Sequence, residues 1–163
     1  MSSIKKAYGT STPLTITLAS LAHSDTAARE STSVNNAATS EQFIDALVQL
    51  KVTLSSGTPS ADRTVYVYAY GSEDGTIYTD NATGSDAAIT LTDPPNAKLI
   101  GAIRCPNAGS LTYEAQPMGV AKVFDWMMPR KWGIIVRNNT NITLNASTSN
   151  HTASYTGIYF TNA

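Results

Sequence analysis

Charge is scarce in this chain. Asp, Glu, Lys and Arg make up 14% of its 163 residues, against roughly 25% in an ordinary soluble protein. The 11 cations nearly cancel the 12 anions and are scattered along the chain. Nucleic-acid binding rests on clustered cations, so no nucleic-acid partner is expected. Long apolar runs are missing too. Nothing approaches the stretch of about 18 residues that a membrane span needs. The opening Met1-Ser2-Ser3-Ile4-Lys5-Lys6 is followed by small and polar residues up to Thr17 rather than an apolar segment, so no signal peptide is expected. The single cysteine, Cys105, cannot form an intramolecular disulfide, and the fold is expected to hold in a reducing cytoplasm.

Hydroxyls and amides stand in for the missing charge. Ser and Thr account for 39 residues and Asn for 11, while 42% of the chain is hydrophobic. That is enough apolar material for one domain with a real core. Five Asn-x-Ser/Thr triplets, starting at Asn81, Asn138, Asn141, Asn145 and Asn150, follow from this composition and are not read as glycosylation sites.

The dominant period is two. Ile44, Ala46, Val48, Leu50, Val52 and Leu54 alternate with mostly polar neighbours, the mark of a half-buried strand. Leu14 to Leu18, Val65 to Tyr70, Ile89 to Leu91, Leu99 to Arg104, Trp132 to Arg137, Ile142 to Ala146 and Tyr155 to Phe160 read the same way, with Ser31 to Val34 a weaker strand. Turn residues separate these runs, and Arg137 to Asn141 reads as an Asn-rich hairpin turn. Val120, Val123, Phe124 and Met127 fall at helical spacing between Pro117 and Pro129, which predicts a short helix or one helical turn. The expected fold is all-β: a jelly-roll-like antiparallel sandwich of about eight strands, with one short helix and an extended N-terminal arm. The arm is placed at 1–13 and the single sandwich domain at 14–163.

Catalytic chemistry finds little footing. His23 and His151 have no partners at metal or acid–base spacing. Cys105 ends an apolar strand and reads as a buried thiol. Asp80, Asn81, Thr83, Gly84 and Asp86 form an oxygen-rich loop, but a calcium loop brings more carboxylates, so an ordinary turn is expected. Arg29-Glu30-Ser31 lacks any elbow motif around the serine and reads as a local ion pair or a subunit contact. No enzyme, metal or cofactor is expected.

Two aromatic features stand out. Tyr66, Tyr68 and Tyr70 lie on one strand face, either as a sugar-stacking platform or as packing beneath a covering loop or a second chain. Trp126-Met127-Met128-Pro129-Arg130-Lys131-Trp132 concentrates both tryptophans and two of the four methionines beside two cations. Such residues are enriched at protein interfaces, though tryptophans also plug the ends of sandwiches. Trp126, Met127, Met128 and Trp132 are therefore candidates for contacts between subunits.

The order of features resembles a group of small β-sandwich virion proteins of tailed double-stranded DNA bacteriophages. The resemblance runs through Arg29-Glu30-Ser31-Thr32-Ser33-Val34-Asn35-Asn36, Asp45-Ala46-Leu47-Val48, Tyr66-Val67-Tyr68-Ala69-Tyr70-Gly71-Ser72, Asp74-Gly75 and Leu99-Ile100-Gly101. It ends with Pro129 to Asn138 and the Tyr155 to Phe160 strand. It is a pattern of strands and turns, and it carries no catalytic residues. It implies a decoration (cement) protein, made in the bacterial host cytoplasm and bound to the outer surface of the capsid. Its implied partners are the major capsid protein and further copies of itself, as a homotrimer. Ile4, Lys5, Lys6 and Tyr8 are then the expected capsid contacts. A carbohydrate-binding module, or a tail or head–tail component, is the alternative.

Overall fold

Alternating sequence becomes two antiparallel sheets. The computed structural model describes residues 3–38 and 42–162. Met1 and Ser2 of the expected arm, and residues 39–41 and 163 of the expected domain, lie outside the described residues. The strands are β1 (Ile4–Tyr8), β2 (Thr12–Pro13), β3 (Ala27–Glu30), β4 (Val34–Asn35), β5 (Asp45–Thr53) and β6 (Thr64–Ser72). They continue as β7 (Ala87–Thr90), β8 (Lys98–Arg104), β9 (Thr112–Glu114), β10 (Met118–Gly119), β11 (Lys131–Asn139) and β12 (Thr152–Asn162).

The first sheet has the order β1-β12-β5-β10, with β2 also on β12 and β9 also on β5. The second runs β7-β3-β11-β6-β8, with β4 also on β11. Several strands are pieces of one lane. β1 and β2 pair successive stretches of β12, β10 and β9 share one side of β5, and β3 and β4 share one side of β11. With these merged, every connection passes from one sheet to the other except the path from β6 through β7 to β8. That is the jelly-roll order, and it matches the expected sandwich. The N-terminal arm is extended, as expected, and lies along β12 as the edge of the first sheet.

The core fills the space between the sheets. Ala46, Val48, Leu50 and Val52 of β5 face Val65, Val67 and Ala69 of β6 and Trp132, Ile134 and Val136 of β11. Cys105 is fully buried among them, as expected of a core thiol, and burial pushes it up to about 11, which keeps it in the protonated form.

Three expectations change, and the expected short helix narrows to one turn. Leu14 to Leu18 alternates in burial but forms no ladder, because it crosses between the sheets. Its backbone bonds go singly: Leu14 N–H to Ala153 O (2.9 Å), Thr17 N–H to the Asp86 carboxylate (2.9 Å), and Thr15 O from Thr32 N–H (2.8 Å). Ile142 to Ala146 is likewise a connection, held by one bridge between Leu144 and Leu54. Asn141 takes the positive φ that suits Asn (59°), but its turn joins β11 of one sheet to β12 of the other and is no hairpin. The helical spacing around Val123 yields a single 3-10 turn, Ala121–Val123.

β6 explains itself only from both sides. Its outward residues Tyr68 and Tyr70 are as buried as its inward valines. The connection 73–97 folds back over that face and makes a second core of Ala28, Tyr68, Tyr70, Ala82, Ile89, Leu91, Ala97 and Ile135. β3 clamps this cover down. The buried Glu30 carboxylate accepts from Thr83 N–H (2.9 Å), Thr83 Oγ1 (3.0 Å) and Gly84 N–H (3.3 Å). Gly84 sits at φ +75°, where a side chain would meet the Tyr78 ring at 2.7 Å. Arg29 Nε pairs with Asp86 at 2.7 Å, Ser31 Oγ accepts from Ile134 N–H, and Ser31 O accepts from Tyr70 OH at 2.6 Å. The Arg29-Glu30-Ser31 trio is thus a local clamp with an ion pair in it. Deeper in the cover, Asp80 accepts from Thr92, Asn96 and Ala97.

Burial alone would raise the pKa of Asp80 and Asp86. Hydrogen bonds to each carboxylate, with the Arg29 pair on Asp86, outweigh it and hold both below the ordinary aspartate value. Their contribution is complete above the unfolded value of about 3.9 and falls away as pH drops through the lowered folded values. Hydrogen exchange should therefore show residues 79–97 losing protection in acid before β5 and β11 do; simultaneous loss would contradict this. Glu30→Gln turns an NH2 group onto the donors of Thr83 and Gly84. It should cost about 1–3 kcal/mol in denaturant unfolding, and an unchanged midpoint would show that the clamp does not hold the cover.

Candidate interaction surface

The large apolar side chains left in solvent are unevenly placed. They are Ile4, Tyr8, Ile77, Leu99, Leu111, Trp126, Met127 and Phe160. Strand pairing puts most of them toward one end of the sandwich. Ile158 pairs with Asp45, the first residue of β5, so β12 outruns β5 beyond that point and carries Phe160 with it. β1 follows it, pairing Tyr8 with Ile158, Lys6 with Phe160 and Ile4 with Asn162. The Asp45 carboxylate accepts from Val120 N–H (3.1 Å) and Ala121 N–H (2.8 Å), which fixes the 120–130 connection at the same end. Ile77 follows the end of β6, where Gly75 lies against Lys131.

Each candidate contact residue has a definite place. Ile4 and Tyr8 are 72% and 64% exposed, with Lys5 and Lys6 exposed between them. Trp126 and Met127 are 73% and 75% exposed. Asp125 and Trp126 both hold positive φ (53° and 65°), an uncommon conformation for residues with a side chain. Trp126 N–H donates to Ala121 O, and Met127 N–H to Phe124 O. Backbone bonds thus hold the turn that leaves an indole and a thioether in water.

The other half of the segment belongs to the core. Met128 is half-buried against it, and Trp132 is wholly buried, edge-on to Tyr155 at 5.3 Å. Trp132 is therefore no accessible contact residue. As an inward position of β11 it plugs the sandwich, while Trp126 lies in a turn beyond the strand. Phe160 and Ile77, which sequence reading did not single out, join the exposed group. The alternation of β12 already put Phe160 on the face opposite Tyr155.

The tyrosine stripe is packing beneath a covering loop. Tyr70 is fully buried, edge-on to Tyr78 at 5.7 Å, and Tyr68 is 6% exposed. Only Tyr66 is half-exposed, so the three rings offer no common stacking surface. Burial raises all three phenols, Tyr70 the furthest.

The remaining candidates are structural. His151 Nε2 lies 2.8 Å from Asn145 O, and its Nδ1 accepts from Thr53 N–H at 3.4 Å. Asp80 and Asp86 point to different donors, so the oxygen-rich loop does not converge on one point. Among the described residues no three His, Cys, Asp or Glu side chains gather as metal ligands, and no helix is long and apolar enough to cross a membrane.

The two tryptophans should separate cleanly. Trp132→Ala should cost about 3–5 kcal/mol of unfolding free energy, and Trp126→Ser should stay within about 0.5 kcal/mol. Comparable losses would mean that Trp126 is part of the monomer's packing. No protein-family model, no curated protein and no solved structure matches this chain.

Proposed function

We propose that this chain is a non-enzymatic structural protein of a bacteriophage virion, a decoration protein that binds the outside of the head and stabilises its lattice. One observation carries the reading. A closed jelly roll with little charge leaves Ile4, Tyr8, Phe160, Trp126, Met127 and Ile77 exposed toward one end. Single exposed apolar residues need no explanation, but several gathered at one end mark a surface that meets another protein. The Ile4–Tyr8 edge is the side for the major capsid protein, and the Trp126–Met127 turn is the side for further copies of the chain in a trimer.

The energetics suit such a role. Each contact can be weak, because many copies on one lattice act multivalently. Neighbouring copies packed closely repel little, since the formal net charge is −1. Lys5 and Lys6 on the edge strand work against pairing of two such strands, because like charges opposite each other destabilise a ladder.

Cryo-electron microscopy of purified particles of the source virus tests this directly. Hundreds of copies on the head are expected; a handful at one vertex would move the protein to the tail, and absence would overturn the virion reading. In solution, Trp126→Ser should shift sedimentation toward the monomer, while Ile4→Ser with Tyr8→Ser should lower retention on heads and leave self-association intact.

A further inference from the structure

Among the described residues, four buried side-chain polar atoms have no hydrogen-bond partner: His23 Nδ1, Trp132 Nε1, Arg137 Nε and Asn139 Oδ1. Two of them share one corner of the second sheet. There Arg137 pairs with Tyr66 and Asn139 with Thr64 across β11 and β6. On the far side, Ala102 pairs with Tyr66 and Arg104 with Thr64 across β6 and β8. The 73–97 cover stops short of this corner, for Ala102 and Arg104 are exposed and Tyr66 is half-exposed. A cleft of about 530 Å³ opens here, lined by Ala61, Asp62, Arg63, Thr64, Tyr66 and Arg104.

The cleft carries unbalanced charge. Arg63 and Arg104 face it, and the Arg137 guanidinium lies 4.9 Å from the centre of the Tyr66 ring. The one ion pair among the described residues is Arg29 with Asp86, so neither Arg63 nor Arg104 has a carboxylate partner. Asp62 is the only acid in the cleft. Its Oδ2 accepts from Tyr66 OH (3.0 Å) and Asn139 Nδ2 (2.8 Å), which leaves Oδ1 without a donor. Ala61 and Arg63 both hold positive φ (51° and 50°), and the loop is fixed by Arg63 N–H on Ser60 O and Cys105 N–H on Arg63 O.

This set of groups selects among anions. Guanidinium forks match a planar carboxylate through paired N–H···O bonds. The Asp62 acceptor oxygen beside them takes a hydroxyl donor, so a ligand with both a carboxylate and hydroxyls makes more contacts here than a compact ion such as phosphate. Tyr66 is half-exposed with its ring against the Arg137 guanidinium, so the cleft walls are almost wholly polar, as suits a hydroxyl-rich ligand. We propose that the cleft binds an acidic sugar. Arg63 and Arg104 hold its carboxylate, and Asp62 Oδ1 accepts from a ring hydroxyl. The proposal does not rest on the virion reading, and it uses none of the residues assigned there to capsid or subunit contacts.

Amide NMR shifts during titration with tetragalacturonate at low salt are the test. Saturable shifts are expected at Arg63, Thr64, Tyr66 and Arg104, weakening as salt is added. Cellotetraose, the neutral control, should leave the spectrum unchanged, and inorganic phosphate should bind more weakly than the uronate. Arg63→Gln with Arg104→Gln should weaken uronate binding at least about tenfold, the equivalent of 1.4 kcal/mol, with the amide spectrum outside the cleft unaltered. Lys98→Gln, exposed on the same strand but outside the cleft, should bind like the parent. The proposal is overturned by the absence of saturable uronate binding, by phosphate binding as tightly as uronate, or by a double variant that binds like the parent.

Discussion

A single buried carboxylate ties the cover of the second sheet to the strand beneath it. Glu30 is 1% exposed, and every oxygen–donor contact it makes is to Thr83 or Gly84. Burying a charge without partners is expensive, and charge-assisted bonds to backbone N–H groups are among the strongest a protein makes. The 73–97 connection therefore has one favourable place to lie, across the outer face of the second sheet. Once it lies there, Tyr68, Tyr70 and Ile135 have an apolar cover and β6 is buried on both sides. Asp80 and Asp86 then organise the rest of the cover from within, each satisfied by donors brought close by the same fold-back.

This arrangement divides the surface. The second sheet is sealed over most of its outer face, apart from the corner at Tyr66. The first sheet has no such cover, and its edge and the neighbouring end carry the exposed apolar residues. The exposed apolar residues therefore lie apart from the charged cleft at the Tyr66 corner, which is of different chemistry. The lattice attachment and the anion binding proposed above would draw on different residues.

Much of the fold was legible in the sequence, for a physical reason. Wherever a strand has one buried and one wet face, alternation records it, as in β5 and the inward residues of β11. The signal failed where burial and strand pairing part company. Leu14 to Leu18 alternates because its leucines point inward, yet its backbone bonds scatter among Ala153, Thr32 and Asp86. The tyrosines of β6 gave a true face but left open what covers it, since the cover is a long, weakly periodic segment secured by Glu30 from far away in sequence. Of the aromatic segment, residue type marked the region but could not part Trp126 from Trp132; the strand phase of β11 does. The Arg63–Arg104 cleft had no sequence signal at all. Its residues meet only through the β6–β8 register.

The double burial of β6 bears on how such a chain can change over generations. An ordinary sandwich strand leaves every second position free to vary at the surface. Here the outward positions Tyr68 and Tyr70 are as constrained as the inward Val65 and Val67, so much of the strand offers selection little neutral room. Variation is left to the outer face of the first sheet, where Gln49, Thr152 and Phe160 lie in solvent. Burial thus separates a face whose residues are tightly constrained from one whose side chains can change without disturbing the core.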